Sequence, residues 1–231
     1  GKECRSLFIV PNGYKLVGVD VSGLELRCLA HFMARYDNGV YGRQIIEGDI
    51  HTYNQQAARL PNRSTAKTFI YGLIYGAGDK KIGEIVNGSS TIGKELKKRF
   101  FKKIPALGQL QTAVQNKART TGVLRGLDGR LLSVRSWHSC LNLLLQSAGA
   151  LIFKQATILL HERLFKKYEY GKDFAMVANI HDELQLKVKE NLAEEIGKLS
   201  VQAVKDTQSI FNLRCPLDAT YKVGNNWAQT H

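Results

Sequence analysis

Residues 174–188 read "FAMVANIHDELQLKV", two apolar runs split by a histidine and two carboxylates. Runs rich in Val, Leu and Phe on either side of a short polar break predict two strands joined by a tight hairpin. Such a turn prefers Gly, Asn or Pro, and three adjacent titratable side chains are costly to bury. His181, Asp182 and Glu183 at the tip are therefore either an exposed acidic turn or groups placed for chemistry.

Working outward, residues 16–21 ("LVGVDV") read as another strand, ending in Asp20, where a carboxylate has no packing role and reads as buried. If the two strands are neighbours, Asp20 and Asp182 meet at one sheet edge. Paired carboxylates repel unless a cation lies between them. Oxygen ligands of this kind suit Mg²⁺, which takes one or two carboxylates together with substrate phosphates. Two unrelated surface aspartates would give the same sequence.

The stretch 63–76, "RSTAKTFIYGLIYG", predicts a helix. Arg63, Lys67, Tyr71 and Tyr75 recur every four residues and form one slowly rotating stripe, while Ala66, Phe69, Ile70, Leu73 and Ile74 pack inward. Two cations followed by two tyrosines suit a phosphorylated, ring-bearing ligand. A solvated helix face with incidental aromatics is the bland alternative.

The remaining chain predicts helices at "LELRCLAHFMARY", "DIHTYNQQAARL" (capped by Asp49, stopped by Pro61), "TIGKELKKRFFKKI" and "LGQLQTAVQNKART", the last two parted by Pro105. In "KELKKRFFKK", Leu96, Phe100 and Phe101 point inward beneath a solvated basic face. A hairpin turns at Asp128-Gly129, an apolar helix runs from about 138 to 166, another from about 192 to 210, and "DATYKV" is a final strand. An α+β fold with a helical insertion at about 49–124 fits this order.

The chain has 231 residues, with 33 Lys+Arg against 20 Asp+Glu, a formal net charge of +13. That favours a polyanionic partner, nucleic acid first, over a merely soluble basic protein. The cysteines (Cys4, Cys28, Cys140, Cys215) form no CxxC pair, which argues against a zinc or disulfide framework and fits a reducing cytoplasm. No stretch reads as a membrane span, and the first residues lack the layout of a signal peptide.

"DVSGLELR" (20–27), "RSTAKTFIYGLIYG" (63–76) and "HDE" (181–183) resemble motifs A, B and C of DNA polymerase family A, the family of bacterial DNA polymerase I. "SGLELRCLAHFMARYDNG" and "LLQSAGALI" are most like replicative polymerases of short-tailed bacteriophages. Three ordered motifs make the match specific, and it runs from residue 5 to 231.

The resemblance implies a right-hand polymerase: palm at 1–48 and 125–231, a small antiparallel sheet backed by long helices, and helical fingers at 49–124. It implies template-directed addition of deoxynucleotides to a primer 3′ end by two metal ions, Mg²⁺ with Mn²⁺ as substitute. Asp20, Asp182 and the carbonyl of Val21 would be the metal ligands. Arg63 and Lys67 would hold the triphosphate, Lys67 also donating a proton to pyrophosphate, with His51 a second phosphate contact. Tyr71 would lie near the sugar, its phenol standing in for a missing 3′-OH, and Glu25 would be the gate against a ribose 2′-OH. Tyr75 and Gly76 would flank the template base, Asn142 and Gln146 would reach the minor groove, His181 would support the primer end, and Glu183 would be a lesser acidic neighbour. Where the family often has Arg one turn before that Asn, this chain has His138.

The chain reads as the palm-and-fingers unit of a split or truncated polymerase, its thumb and exonuclease either on a companion polypeptide or cut away, and residues 117–126 read as shorter than in the phage relatives. The expected partners are thus primer–template DNA, deoxynucleoside triphosphates and that companion, with no membrane, in the cytoplasm of a bacterial host. A noncatalytic DNA-binding remnant or scaffold subunit is the alternative. A single-subunit RNA polymerase shares the palm, but Glu25 and HDE at 181–183 argue against it.

Overall fold

The computed structural model describes residues 1–231, which fall into two compact units, residues 1–24 with 149–231 and residues 25–148. The elements in chain order are α1 (Lys2–Ser6), β1 (Tyr14–Val21), α2 (Leu24–Asp37), α3 (Val40–Glu47), α4 (Ile50–Ala58), α5 (Arg63–Ile74), α6 (Asp79–Glu84), α7 (Ser90–Lys103) and α8 (Pro105–Thr121). They continue with β2 (Val123–Arg125), β3 (Leu131–Ser133), α9 (Cys140–Phe165), β4 (Phe174–Ile180), β5 (Glu183–Lys189), α10 (Ala193–Ile210), β6 (Ala219–Gly224) and α11 (Trp227–Thr230).

The first unit is built on an antiparallel sheet of order β4-β5-β1-β6. β1 is an inner strand with both faces covered, which explains its near-continuous apolar sequence: Leu16, Val17, Val19 and Val21 are all buried. Each such side chain contributes roughly 1.5–3 kcal/mol on burial. α10 packs on β1 and β6, while α11 lies against the same two strands. That last approach requires Gly18, because a Cβ there would sit 2.5 Å from both the Gln185 amide nitrogen and the Thr230 carbonyl oxygen.

The second unit is helical apart from the β2–β3 hairpin, whose turn holds Gly129 at φ +85°. α5 buries Ala66, Phe69, Ile70, Leu73 and Ile74, the five residues that helical spacing assigns inward, with Phe69 edge-on to Phe100 of α7. Caps fit the sequence as well. Asp49 accepts the His51 N–H at 3.0 Å at the start of α4, Asn62 accepts the Thr65 N–H at 2.8 Å at the start of α5, and Pro105 opens α8.

Several expectations are corrected. Asp20 is exposed, because β1 ends at the rim of the sheet. Glu183 is not part of the turn; it is the first residue of β5 and only 4% exposed. Helix α4 ends at Ala58, with Arg59 at φ +54°, before Pro61 is reached. Phe101 is half-buried against Gly108, while Leu96 and Phe100 are fully inside. The apolar helix does pass the length and composition test for a membrane span, over residues 137–165. Its Leu141, Leu145, Ile152, Phe153, Leu160 and Leu164 are buried within the protein, which accounts for the apolarity of a core helix. Short helices α1, α3, α6 and α11 have too few turns to register as periodicity.

Candidate functional site

The acidic edge lies in the first unit. β1 and β5 pair so that Asp20 stands opposite Glu183, and the Val21 N–H donates to the Asp182 carbonyl at 3.1 Å. The two strand ends are therefore neighbours. β4 and β5 are joined by only His181 and Asp182, with Ile180 opposite Glu183. His181 has φ +56°, a left-handed conformation that a two-residue turn normally gives to Gly or Asn. A bulky residue held there stores of order 1–3 kcal/mol of strain.

Three carboxylates share this edge, and their electrostatics differ. The Asp20 carboxyl is held above the usual range, first by partial burial and then by the charges of Asp182 and Glu183. The residue's surface is open to solvent, but its neighbourhood is crowded with like charge. Glu183 behaves oppositely. Burial alone would raise it, yet hydrogen bonds from Gln185, His231 and Trp227 outweigh that and keep it below the ordinary carboxylate range.

No cluster of three or more His, Cys, Asp or Glu side chains has the arrangement of a metal cage. Two mutually repelling carboxylates fit the alternative, a cation held by one or two acidic side chains and completed by substrate oxygens and water. Asp20 and Asp182 are the side chains that would hold it, with Val21 adjoining them at the end of β1.

The cationic face lies in the second unit. Arg63, at the first turn of α5, donates through Nε to Asp49 Oδ2 at 2.5 Å and through Nη2 to Oδ1 at 3.3 Å. Lys67, one turn on, is exposed. His51 lies beside this face with its Nδ1 buried and without a hydrogen-bond partner. Burial first, then the Arg63 charge, pushes its pKa down. The Tyr71 ring lies 6.4 Å from both the His51 and Tyr75 rings, so the predicted stripe exists as a continuous ledge.

Tyr75 donates its hydroxyl to Glu25 at 2.9 Å, and the Gln146 amide donates to the same carboxylate oxygen. Three residues predicted separately thus form one hydrogen-bonded group. Gly76 has φ +78°, and a Cβ there would lie 2.5 Å from the His138 carbonyl oxygen, so only glycine fits. Asn142 is half-buried on α9 with Oδ1 unsatisfied. His138 lies on the 3₁₀ turn before α9 against the Trp137 ring.

Two features escaped the sequence reading. Asp49 was legible as a helix cap but not as the partner of Arg63, fourteen residues away. The hydrogen-bonded group around Glu183 draws on "GNNWAQTH", a segment with no periodicity to mark it.

The DNA-directed DNA polymerases of Enterobacteria phage T3 and Escherichia phage T7 are each 45% identical to this chain over 257 aligned positions, covering all of it and 36% of each relative. DNA polymerase I of Pseudomonas aeruginosa is 26% identical, covering 27% of its length. The chain thus spans little more than a third of the phage relatives. Among solved structures, the polymerase domain of Pol1 from M. smegmatis, in complex with DNA primer-template and dNTP, superposes with a TM-score of 0.86. That match is at 22% identity, over 99% of this chain and 43% of the other, and it shows the fold alone. The sequence model of DNA polymerase family A matches residues 1–229, with all three motifs inside, and the chain belongs to that family.

Proposed function

We propose that this chain carries the palm and fingers of a DNA polymerase that extends a primer 3′ end with deoxynucleotides during phage DNA replication. The observation that carries the reading is the β1–β5 register, which puts Asp20 beside Asp182 and Glu183 at one sheet edge. Divalent cations, Mg²⁺ or Mn²⁺, would supply activation of the primer 3′ oxygen and charge neutralisation at the phosphates. Asp20 and Asp182 would hold those ions, with the Val21 carbonyl as a third ligand.

The protein's own groups have separable tasks. Arg63, Lys67 and His51 would bind the triphosphate by charge-assisted hydrogen bonds, and Lys67 would give a proton to the departing pyrophosphate. Tyr71 would lie by the sugar. Glu25, fixed by Tyr75 and Gln146, would meet a ribose 2′-OH with an already engaged carboxylate. Tyr75 and Gly76 would bracket the template base, while Asn142, Gln146 and His181 would contact the primer–template. The excess of 13 positive charges supports duplex binding through phosphates.

In the same proposal, the palm comprises 1–48 and 125–231, the fingers 49–124, and the reaction takes place in the host bacterial cytoplasm. Thumb and exonuclease functions would come from polymerase regions outside the span matched here, on this polypeptide or a companion. The test is primer extension on a defined template with Mg²⁺ and all four deoxynucleotides, with and without those regions supplied. Template-dependent extension that Asp20→Asn and Asp182→Asn abolish is the expected result. Tight duplex binding with no extension under any combination would overturn it in favour of a noncatalytic DNA-binding subunit.

A further inference from the structure

Glu183 is the most enclosed ionisable group at the acidic edge, and its partners come from a distant part of the chain. Its Oε1 accepts the Trp227 indole N–H at 2.5 Å and the Gln185 amide at 2.6 Å, and its Oε2 meets His231 Nδ1. Gln185, 2% exposed, in turn accepts the Thr230 hydroxyl at 2.8 Å. α11 is thereby tied to β5 at Glu183 and Gln185. It is also seated on β1 by the close approach at Gly18. On its outer side the Trp227 ring is gripped by Phe8, edge-on at 5.5 Å, and by the Arg5 guanidinium at 5.2 Å.

This arrangement addresses a mechanical problem. Glu183 directly follows Asp182, and the turn it closes is strained at His181. Across the ladder it faces Asp20, a like charge. That repulsion pushes the tip of the β4–β5 hairpin away from β1. A buried carboxylate with three donors resists that push, because moving it would strand the donors and itself.

We propose that Trp227 is a positioning residue: through Glu183, its indole N–H holds the His181–Asp182 turn against the end of β1, keeping Asp182 in register with Asp20. The inference rests on the metal-binding role proposed above. Trp227 touches neither substrate nor metal in this scheme. Groups that orient ligands in this indirect way typically change metal affinity or activity ~10- to 100-fold when removed.

The experiment is Trp227→Phe, which keeps an aromatic ring for Phe8 and Arg5 and deletes only the N–H. Three quantities are read in the polymerase that carries this chain: amide hydrogen exchange across residues 180–184, Mn²⁺ binding by electron paramagnetic resonance, and turnover as a function of Mg²⁺ concentration. Faster exchange in the hairpin, with a Mn²⁺ midpoint and an Mg²⁺ optimum raised about 10-fold, is the expected result. Thermal stability should move little, so a general loss of structure is distinguishable. Glu183→Gln provides the second arm. If Trp227 acts through Glu183, adding Trp227→Phe to Glu183→Gln should have almost no further effect. Hairpin exchange identical to wild type, or fully additive losses in the double variant, would overturn the inference. Wild-type protein that binds no Mn²⁺ would instead overturn the metal-binding role, and hairpin exchange alone would then decide whether the anchor exists.

Discussion

The acidic edge and the cationic face solve opposite problems, and their construction differs accordingly. At the edge, Asp20, Asp182 and Glu183 repel one another, and the turn carrying them is strained at His181. Like charges will not stay together unaided, and behind them the first unit has a network of buried Gln185 and Thr230 with half-buried Trp227 and exposed His231. On α5 nothing comparable is needed. Arg63 and Lys67 stand a helical turn apart in solvent, and the helix backbone alone spaces them. The edge is organised by tertiary contacts and the face by local structure. In the proposed function, the chemistry that needs fixed geometry falls to the first and ligand capture to the second.

The largest expected effect tests that division. Asp182→Asn should lower nucleotide addition by several kcal/mol of transition-state stabilisation, about 1000-fold or more. Duplex affinity should change less than about threefold, because it comes from phosphate contacts to cations elsewhere. Single-turnover extension and an equilibrium titration on the same preparation check both halves. Near-normal turnover would remove Asp182 from the metal site. The complementary measurement is salt dependence. Duplex binding should weaken about 100-fold between ~50 and ~200 mM salt, equally in wild type and Asp182→Asn. A flat response in either protein would mean that the excess positive charge is not the binding surface.

The same division explains what could be read from the sequence. The α5 stripe is legible because a period of about four residues is a local property of a helix. Its five inward residues are all buried as the spacing requires. The β4–β5 hairpin and β1 are legible as apolar runs, and the register that joins them follows once they pair. Glu183 was misplaced in the turn because strand ends leave no periodic mark. Its partners were invisible for another reason: Trp227 and His231 lie 44 and 48 residues away, in a four-residue helix and its end. Nothing in "GNNWAQTH" signals that an indole N–H will meet a buried carboxylate.

Tyr71 belongs to the legible part. Tyr71→Phe should reduce incorporation of dideoxynucleotides relative to deoxynucleotides. The lost hydrogen bond to a charged triphosphate is worth ~1.5–3 kcal/mol, roughly 10- to 100-fold in the ratio. Competitive incorporation assays read it directly. An unchanged ratio would take Tyr71 away from the sugar and leave the ledge of His51, Tyr71 and Tyr75 with a packing role only.

The smallest effect is expected at Asp49, where the cationic face has its one fixed geometry. Asp49 accepts from Arg63 through both Nε and Nη2. It also caps α4, accepting the His51 N–H and the Thr52 hydroxyl. Asn caps as well as Asp, so Asp49→Asn should keep the helix and remove only the charge. The pair is exposed, and solvent screens it, so it contributes little. The apparent KM for the nucleotide should therefore rise only about 2- to 5-fold, with kcat and thermal stability nearly unchanged. The pH behaviour follows from the hydrogen bond to Arg63, which holds the Asp49 carboxyl well below the usual carboxylate range. A group with a lowered folded pKa gives its stabilisation in full above its unfolded pKa, near 3.8, and loses it as the pH falls further. Nucleotide affinity in wild type and Asp49→Asn should accordingly differ by a constant factor from about pH 6 to about pH 9. A ratio that varies across that interval would show that a different group on the face is titrating, with His51, depressed by burial and by Arg63, the first to examine. A KM effect of 100-fold would mean that Arg63 is oriented by Asp49 as rigidly as Asp182 is by its own network, and the contrast between the two regions would fail.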